Sequence, residues 1–417
     1  MPASRRRRST YGWRRAKSSI GERSNITVEV RGATPHDYPA IREILIDAFK
    51  NPDDEVGIWD VLVARDPSFT PDCARVTVVD GVPAALTVVL PRTIRVRTGW
   101  VAGSELTLVG CRTAMQGHGY GGLAVRDALA HVACRGEALA VFYGEPGYYP
   151  RFGCAPVFPP IRAHLPVGEH DAAAAASGRA TVTSGAGLTK PAELVARIGE
   201  VRLEPATDAD VPALLRLYEA GMCCYSGAMR RSAEPWEWRP RSDQWVVRLL
   251  PDRTAYAFTQ ISAERDELFV REAGAVDARS AQRLLAALVA EAIDHGLYQI
   301  TAALPPDHLL HRAMSACGAE TLRRPASPGF AAIVDWTQVM PDGYGVTPDG
   351  LVRAGRLMLR AGAIPLTQLA LGYLDIDDLL LLPDCSVSGG PEVIEQLRRD
   401  FPRLTTRYSW APFYQLR

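Results

Sequence analysis

The sequence predicts an α/β chain of the α+β type, with two related domains and a small C-terminal α+β domain. Each related domain should hold a mixed, mostly antiparallel sheet flanked by helices. The chain has 417 residues, too many for one core at about 150 residues per domain. Residues 30–43 (VRGATPHDYPAIRE) and 201–216 (VRLEPATDADVPALLR) repeat one pattern. The spacing of about 170 residues indicates a duplicated domain.

The first copy begins with a strand and a helix. Residues 28–48 alternate in polarity and then place apolar side chains at helical spacing. Thr34 and Asp37 stand at the helix start as in a capping box. A short helix is expected around residues 59–63. Three strand-like runs with turn residues between them predict an antiparallel meander at residues 74–81, 82–96 and 104–111. A helix and a short apolar strand then form a crossover unit at residues 122–135 and 138–143.

The rest of the chain divides at a low-complexity segment rich in alanine and glycine. Beyond it the strand, helix, strand unit returns at residues 268–276, 280–294 and 298–304. The last piece is too short for a third copy, and we expect a helix at 349–361. The predicted units are a basic tail (1–27), a first domain (28–165), a linker (166–200), a second domain (201–338) and a C-terminal domain (339–417).

Charge and composition exclude several classes of partner. Lys plus Arg and Asp plus Glu number 47 each, so net charge gives no reason to expect nucleic acid or a membrane surface. The basic tail favours a solvated segment, with targeting or nucleic-acid binding as alternatives. No run approaches the roughly 20 apolar residues that cross a bilayer, so a cytoplasmic protein is expected. The 8 cysteines lack the spacing of a disulfide framework or a metal site.

A glycine-rich loop joins the strand at 104–111 to the next helix. Glycines let the main chain approach a phosphate, and free N–H groups at a helix start attract a pyrophosphate. The spacing G-x-G-x-x-G also matches a dinucleotide fingerprint, which requires the loop after the first strand of a parallel sheet. Several antiparallel strands precede the loop here, which disfavours the dinucleotide fingerprint. The other interpretation of the loop is the motif Q-x-x-G-x-G. The loop comprises Gln116, Gly117, His118, Gly119, Tyr120, Gly121 and Gly122.

A second motif follows the apolar strand at 138–143. Residues 144–153 read GEPGYYPRFG. Together with the glycine loop, this segment resembles the GCN5-related N-acetyltransferase (GNAT) superfamily, and in particular its YhbS-like and Eis-type (enhanced intracellular survival) members. Pro150 and Cys154 depart from the residues usual there. Eis-type enzymes likewise join an active domain, a degenerate one and a small C-terminal domain, so the resemblance implies tandem GNAT folds.

The resemblance implies an acetyl-CoA-dependent N-acetyltransferase that acts on the amine of a small molecule. By this likeness, main-chain groups at the end of the fourth strand bind the pantetheine arm and the thioester oxygen. The glycine loop then holds the pyrophosphate of coenzyme A. The expected cofactor-binding residues outside the loop are Val109, Gly110, Cys111, Gly144 and Glu145.

Three residues are candidates for the chemistry. Tyr149 stands at the family position of the general acid, with simple aromatic packing as the alternative. Glu105 lies where some acetyltransferases carry a carboxylate that draws the amine proton through water; the alternative is a surface charge. Some Eis-type enzymes place the terminal carboxylate in the active site, which here belongs to Arg417.

The second copy departs from the motif, since residues 273–285 (AGAVDARSAQRLL) contain no glycine loop. We expect it to be structural, with no coenzyme A site. Asp53, Asp54 and Glu55 are candidates for attracting a cationic amine, or else form a solvated turn. A catalytically inactive coenzyme A-binding scaffold is the alternative function. The resemblance further implies a homo-oligomer, and no metal is expected.

Overall fold

The computed structural model describes residues 26–167, 190–240, 243–323, 328–347, 350–355 and 357–407. Within them the strands form two seven-stranded sheets and one four-stranded sheet. Most neighbouring strands are antiparallel, and helices cover the sheets, which confirms the predicted fold class. No helix in these ranges is both long enough and apolar enough to cross a membrane. Almost all of the basic tail, and Arg417, lie outside the described residues.

The first sheet carries the elements predicted for the first copy. Helices α1 and α2 pack on one face through Ile44 and Trp59, and α3 packs on the other through Val125. The elements are β1 (Val28–Gly32), α1 (Tyr38–Ala48), α2 (Pro52–Arg65), β2 (Ala74–Val79), β3 (Val82–Val96), β4 (Gly99–Cys111), α3 (Tyr120–Cys134), β5 (Leu139–Tyr143), β6 (Ala155–Phe158) and β7 (Ile161–Pro166).

The second copy repeats this order. It is preceded by a helix inside the predicted linker, where Leu194 is buried against the second core. The elements are α4 (Pro191–Ile198), β8 (Glu204–Pro205), α5 (Val211–Gly221), β9 (Trp245–Leu249), β10 (Ala255–Ser262), β11 (Glu267–Ala275), α6 (Ala278–Asp294), β12 (Gln299–Ala302), α7 (Leu309–Ala316), β13 (Glu320–Arg323) and β14 (Gly329–Ile333).

The C-terminal domain corrects one prediction. The helix expected at 349–361 is wrong, because the structure has a β-hairpin there with Gly355 at a φ of +59° in its turn. The run LVRAGRLMLR alternates apolar and polar residues, and its glycine suits a tight turn. The elements are β15 (Gly345–Val346), β16 (Leu351–Ala354), β17 (Leu357–Arg360), α8 (Ala363–Leu371), α9 (Ile376–Leu380), β18 (Ser386–Ser388) and α10 (Pro391–Asp400).

The two copies exchange strands. β14 of the second copy lies between β5 and β6 of the first sheet and pairs antiparallel with both. β7 leaves the first copy and lies between β12 and β13 of the second sheet. Nothing in the sequence repeat predicts this exchange, since a short apolar strand does not specify its partner. Each core is therefore completed by a strand that lies far away in the sequence.

Both copies begin their first helix in the same way. The Asp37 carboxylate accepts a hydrogen bond from the Thr34 N–H at 2.7 Å, and Asp210 accepts one from the Thr207 N–H at 2.9 Å. Arg31 pairs with Asp37, and this hydrogen bond lowers the pKa of that carboxyl to about 2. The capping boxes that marked the repeat in the sequence are confirmed.

Candidate active site

The site begins where β4 and β5 separate. Their parallel pairing ends at Glu105 and Val141. A bulge follows, because Leu108 and the next residue oppose a single residue of β3, and Leu108 has a φ of +48°. A bulge bends its strand and ends regular pairing. Beyond it, no described strand pairs with β4 on the side facing β5. The residues of β4 without a described strand partner on that side are Val109, Gly110 and Cys111, and we call them the exposed strand edge.

The glycine loop connects this edge to the start of α3. Gly117 and Gly119 have φ values of +81° and +87°, a conformation that glycine adopts without strain. Gly119 is the N-cap of α3 and has no side chain that could cap the helix. The first-turn amides of α3 therefore have no partner within the helix. This end of α3 is suited to an anion.

The other loop residues hold this conformation. Gln116 donates from Nε2 to the main-chain oxygen of Cys111 at 3.2 Å, which ties the loop to the end of β4. His118 donates from Nδ1 to the oxygen of Gln116 at 3.0 Å. Its exposed ring also stacks on Tyr120, with the centroids 5.8 Å apart. The structure thus brings the predicted loop residues together beside the open edge of β4.

Cys111 lies at the junction between strand and helix. Burial raises the pKa of its thiol, although the nearby Gly121 amide acts in the opposite direction. Cys111 is therefore a neutral thiol at physiological pH. The hydroxyl of Tyr148 also reaches this point, 3.2 Å from where a Cβ on Gly121 would be.

Tyr149 is a buried neighbour of Tyr148, with the two ring centroids 5.0 Å apart. It begins a short turn after β5, and its side chain is only 7% exposed. Its ring packs against Phe142 of β5 with centroids 4.6 Å apart, and against Phe330 of the exchanged strand β14 at 5.5 Å. Gly144 is required here because a Cβ on it would overlap the Tyr149 ring. Glu145 follows as an exposed residue.

Two arginines lie beside the loop: Arg151, which the sequence offered as a partner of Glu145 or of a phosphate, and Arg126, which was not identified from the sequence. The Arg151 guanidinium lies 4.0 Å from the ring centre of Tyr148, and that of Arg126 lies 5.1 Å from the ring centre of Phe152. Arg126 also lies near Gly122. The sequence did contain a signal for Arg126, because this residue lies one helical turn after the last glycine of the loop. Both add positive charge beside the predicted phosphate site.

Glu105 is fully buried rather than exposed on the sheet surface. Its Oε2 lies 3.4 Å from Nε of Arg92 on the neighbouring strand β3. Arg92 also pairs with Asp66 at 3.1 Å and donates to Ser68. The predicted carboxylate is thus held in a buried ionic network near the point where β4 and β5 separate.

The remaining candidates are only partly described. Asp53, Asp54 and Glu55 form the first turn of α2, and Glu55 is buried. The described chain ends at Arg407, whose N–H donates to Ser226 at 2.8 Å and whose side chain donates to the oxygen of Arg271 at 2.9 Å. Arg417 lies outside the described ranges. Among the described residues, no group of three His, Cys, Asp or Glu side chains is placed to hold a metal ion.

The fold is similar to several solved acetyltransferase structures over nearly the whole chain. The GCN5-related N-acetyltransferase from Anabaena variabilis has a TM-score of 0.67 at 14% identity, covering 91% of this chain and 99% of its own. The one from Kribbella flavida has a TM-score of 0.67 at 15% identity, covering 93% and 99%. Eis1 from Mycobacterium abscessus has a TM-score of 0.57 at 15% identity, covering 93% and 99%.

Sequence comparison adds no further assignment, because no family profile and no curated protein matches the chain. The structural likeness extends across both copies and the C-terminal domain, and it agrees with the two motifs found in the sequence. The chain therefore has the tandem fold of the GCN5-related N-acetyltransferases, with the glycine loop in one copy alone.

Proposed function

We propose that this chain is an acyl-CoA-dependent N-acyltransferase that transfers an acetyl group from acetyl-CoA to the amine of a small molecule. The observation that carries the proposal is the continuity of the exposed β4 edge with the uncapped start of α3. An extended pantetheine chain can pair with a strand edge, and a pyrophosphate suits a helix start without a capping side chain. Arg126 and Arg151 supply further positive charge for the phosphates.

In this proposal the first copy holds the thioester while the amine attacks it directly. Main-chain amides of Val109 and Gly110 orient the pantetheine and polarise the thioester carbonyl. Attack of the neutral amine forms the new C–N bond, and the C–S bond breaks to release coenzyme A thiolate. The amine must lose one proton and the thiolate must gain one.

Tyr149 is the proposed proton donor to the thiolate. A phenol with an ordinary pKa near 10 is protonated at neutral pH and can donate. Its ring is fixed by Phe142 and by Phe330 of the exchanged strand, so the hydroxyl has a defined position. Gly144 permits this packing, which gives the glycine of the second motif a physical role.

Glu105 is the proposed base, acting on the amine through water. The Arg92 guanidinium, 3.4 Å away, places a positive charge beside this carboxyl group. The terminal carboxylate of Arg417 is the second candidate. Thr406 donates to the main-chain oxygen of Val157 at 2.5 Å, which anchors the C-terminal segment on strand β6 of the first sheet. Adding two glycines after Arg417 would displace that carboxylate and reduce turnover if it takes part.

The test is thiol release from acetyl-CoA with a panel of primary amines, together with direct measurement of acetyl-CoA binding by calorimetry. The proposal expects stoichiometric binding, and thiol release that depends on an amine. Binding without turnover for any amine in a broad panel would favour the scaffold function. No binding at all would overturn the assignment of the glycine loop.

A further inference from the structure

A cavity lies away from the glycine loop, at the other end of β4. It has a volume of about 340 Å³ and lies between the β3–β4 hairpin and the end of α5. The side chains that line it include Arg95, Trp100, Glu219, Cys223, Arg230 and Arg231. The acyl-transfer chemistry proposed above uses none of them.

The backbone explains why these side chains meet. β2 pairs only with the first half of β3, so the second half has a free edge. Residues 227–230 occupy that edge: the Arg230 N–H donates to Thr93 at 2.8 Å, and the Arg95 N–H donates to Ala228 at 2.7 Å. Trp100 is the cross-strand partner of Arg95 on β4. In this register the side chains of Trp100, Arg95 and Arg230 lie on one face of three adjacent segments.

The two arginines share one aromatic ring. The Arg230 guanidinium lies 4.8 Å from the ring centre of Trp100, and that of Arg95 lies 5.5 Å from it. Arg95 uses its Nε to donate to the oxygen of Arg97. Within the described part of the chain, its two terminal nitrogens and the whole Arg230 guanidinium make no hydrogen bond or ion pair. Two positive charges with unused donors thus lie against the same aromatic ring.

The third arginine of the cavity is already neutralised. Arg231 forms a two-point ion pair with Glu272, with both N···O distances below 3.0 Å. Glu219 is the one carboxylate that lines the cavity among the described residues. The unpaired charge of the cavity is therefore positive. Each guanidinium presents the planar fork of N–H groups that binds oxyanions.

From this geometry we propose that the cavity binds a small organic dianion, with its two carboxylate or phosphate groups on Arg95 and Arg230 and its carbon chain against Trp100. Because the two arginines come from β3 and from residues 227–230, the ligand would connect the first sheet to the second copy. Binding would stabilise this contact between the copies. The inference does not depend on acetyl-CoA turnover.

The test is calorimetric titration of the full chain with succinate and, separately, with inorganic phosphate, at low and at high NaCl. We expect saturable binding of succinate that weakens at high salt. Arg230→Gln should weaken it at least about tenfold, since one charge-assisted contact is lost. If phosphate binds more tightly than succinate, the ligand is a phosphorylated compound rather than a dicarboxylate.

Arg216→Gln is the matched control. Arg216 lies on helix α5, which also carries Glu219 of the cavity, but it is not part of the cavity lining, and its side chain makes a 3.5 Å hydrogen bond to the oxygen of Arg253. The Arg216→Gln substitution removes the same charge as Arg230→Gln and should leave succinate binding unchanged. Circular dichroism and the melting temperature without ligand will show that each variant is folded. Saturable binding of neither anion, or equal weakening by Arg216→Gln and Arg230→Gln, would overturn the proposal.

Discussion

The two copies start the corresponding helix in opposite ways. In the first copy α3 begins at Gly119, which has no side chain and a φ of +87°. In the second copy α6 begins at Asp277, whose carboxylate accepts a hydrogen bond from the Ser280 N–H at 2.7 Å. Main-chain hydrogen bonds lower the pKa of Asp277, as expected for an anion at a helix start. The second copy thus has a negatively charged side chain at its helix start, whereas the first copy has none.

The edges of the corresponding strands differ in the same sense. β11 has a bulge like that of β4, and its parallel pairing with β12 ends at Val270. Beyond that point His308 donates from Nε2 to the main-chain oxygen of Ala273 at 3.0 Å. In β4 the main-chain oxygen of Cys111 accepts instead from Nε2 of Gln116, a residue of the glycine loop. The fold therefore supplies the bent strand twice, and a different side chain contacts its edge in each copy.

The largest effect should come from giving the first copy the cap of the second. Gly119→Asp would place a carboxylate at the start of α3, beside the first-turn amides. We expect acetyl-CoA binding to weaken on the order of 100-fold, because the cap competes with and repels the pyrophosphate. Calorimetry with acetyl-CoA measures this loss.

Gly136→Asp separates that effect from backbone strain. Gly136 follows the other end of α3 with a φ of +70°, and both glycines have open space where a Cβ would lie. Both variants bear the same strain, but only one lies at the predicted phosphate site. If both weaken acetyl-CoA binding equally, the contrast between the two helix starts does not explain binding.

Tyr149→Phe tests whether the open site also does chemistry. The ring packing on Phe142 and Phe330 stays, whereas the proton donor is lost. We expect kcat to fall about 100-fold with little change in the KM for acetyl-CoA, as for loss of a general acid. Steady-state thiol release measures both constants. Tyr148→Phe removes a neighbouring hydroxyl and should cost much less; an equal loss in both variants would contradict the assignment of Tyr149.

Glu105→Gln and Glu272→Gln together compare two buried glutamates that each pair with an arginine. We expect about a tenfold loss of kcat/KM near neutral pH, recovering at higher pH as more of the amine becomes neutral without a base. The same substitution at a buried glutamate of the second copy, Glu272→Gln, should leave turnover intact and lower the free energy of unfolding by about 3 kcal/mol, because Arg231 stays buried with its charge uncompensated. A pH-independent loss in Glu105→Gln would assign Glu105 to structure instead.

The sequence was sufficient for the parts of the molecule that local rules determine. The capping boxes at Thr34 and Thr207, the strand and helix around the glycine loop, and the absence of that loop in the second copy all follow from short-range patterns. The helix wrongly expected at 349–361 shows the limit, because alternation and a turn glycine were both present in a run that is also compatible with a helix.

Contacts between distant segments could not be predicted from one sequence. The exchange of β7 and β14, the Arg92 partner of Glu105, and the pairing of residues 227–230 with β3 each join segments far apart in the chain. Their strands carry the same apolar pattern whichever sheet they join. The sequence therefore could not predict that Glu105 is buried, although its place on β4 was correctly predicted.

The smallest effect at neutral pH should come from His308, which covers the strand edge in the second copy. Burial, followed by the nearby Arg407, lowers its pKa from 6.5 to about 3. Below pH 6.5 the unfolded chain therefore binds a proton that the folded chain does not, so stability falls with falling pH. The expected loss is about 1.4 kcal/mol per pH unit between pH 6.5 and 3.

His308→Asn should remove this part of the slope in urea unfolding measured at pH 7 and pH 5, whereas His295→Asn, which changes an exposed histidine, should not. If the dependence of stability on pH is unchanged in His308→Asn, the imidazole of the native protein gains access to water when it is protonated. The contact of His308 with the edge of β11 would then be weaker than the contrast between the two copies requires.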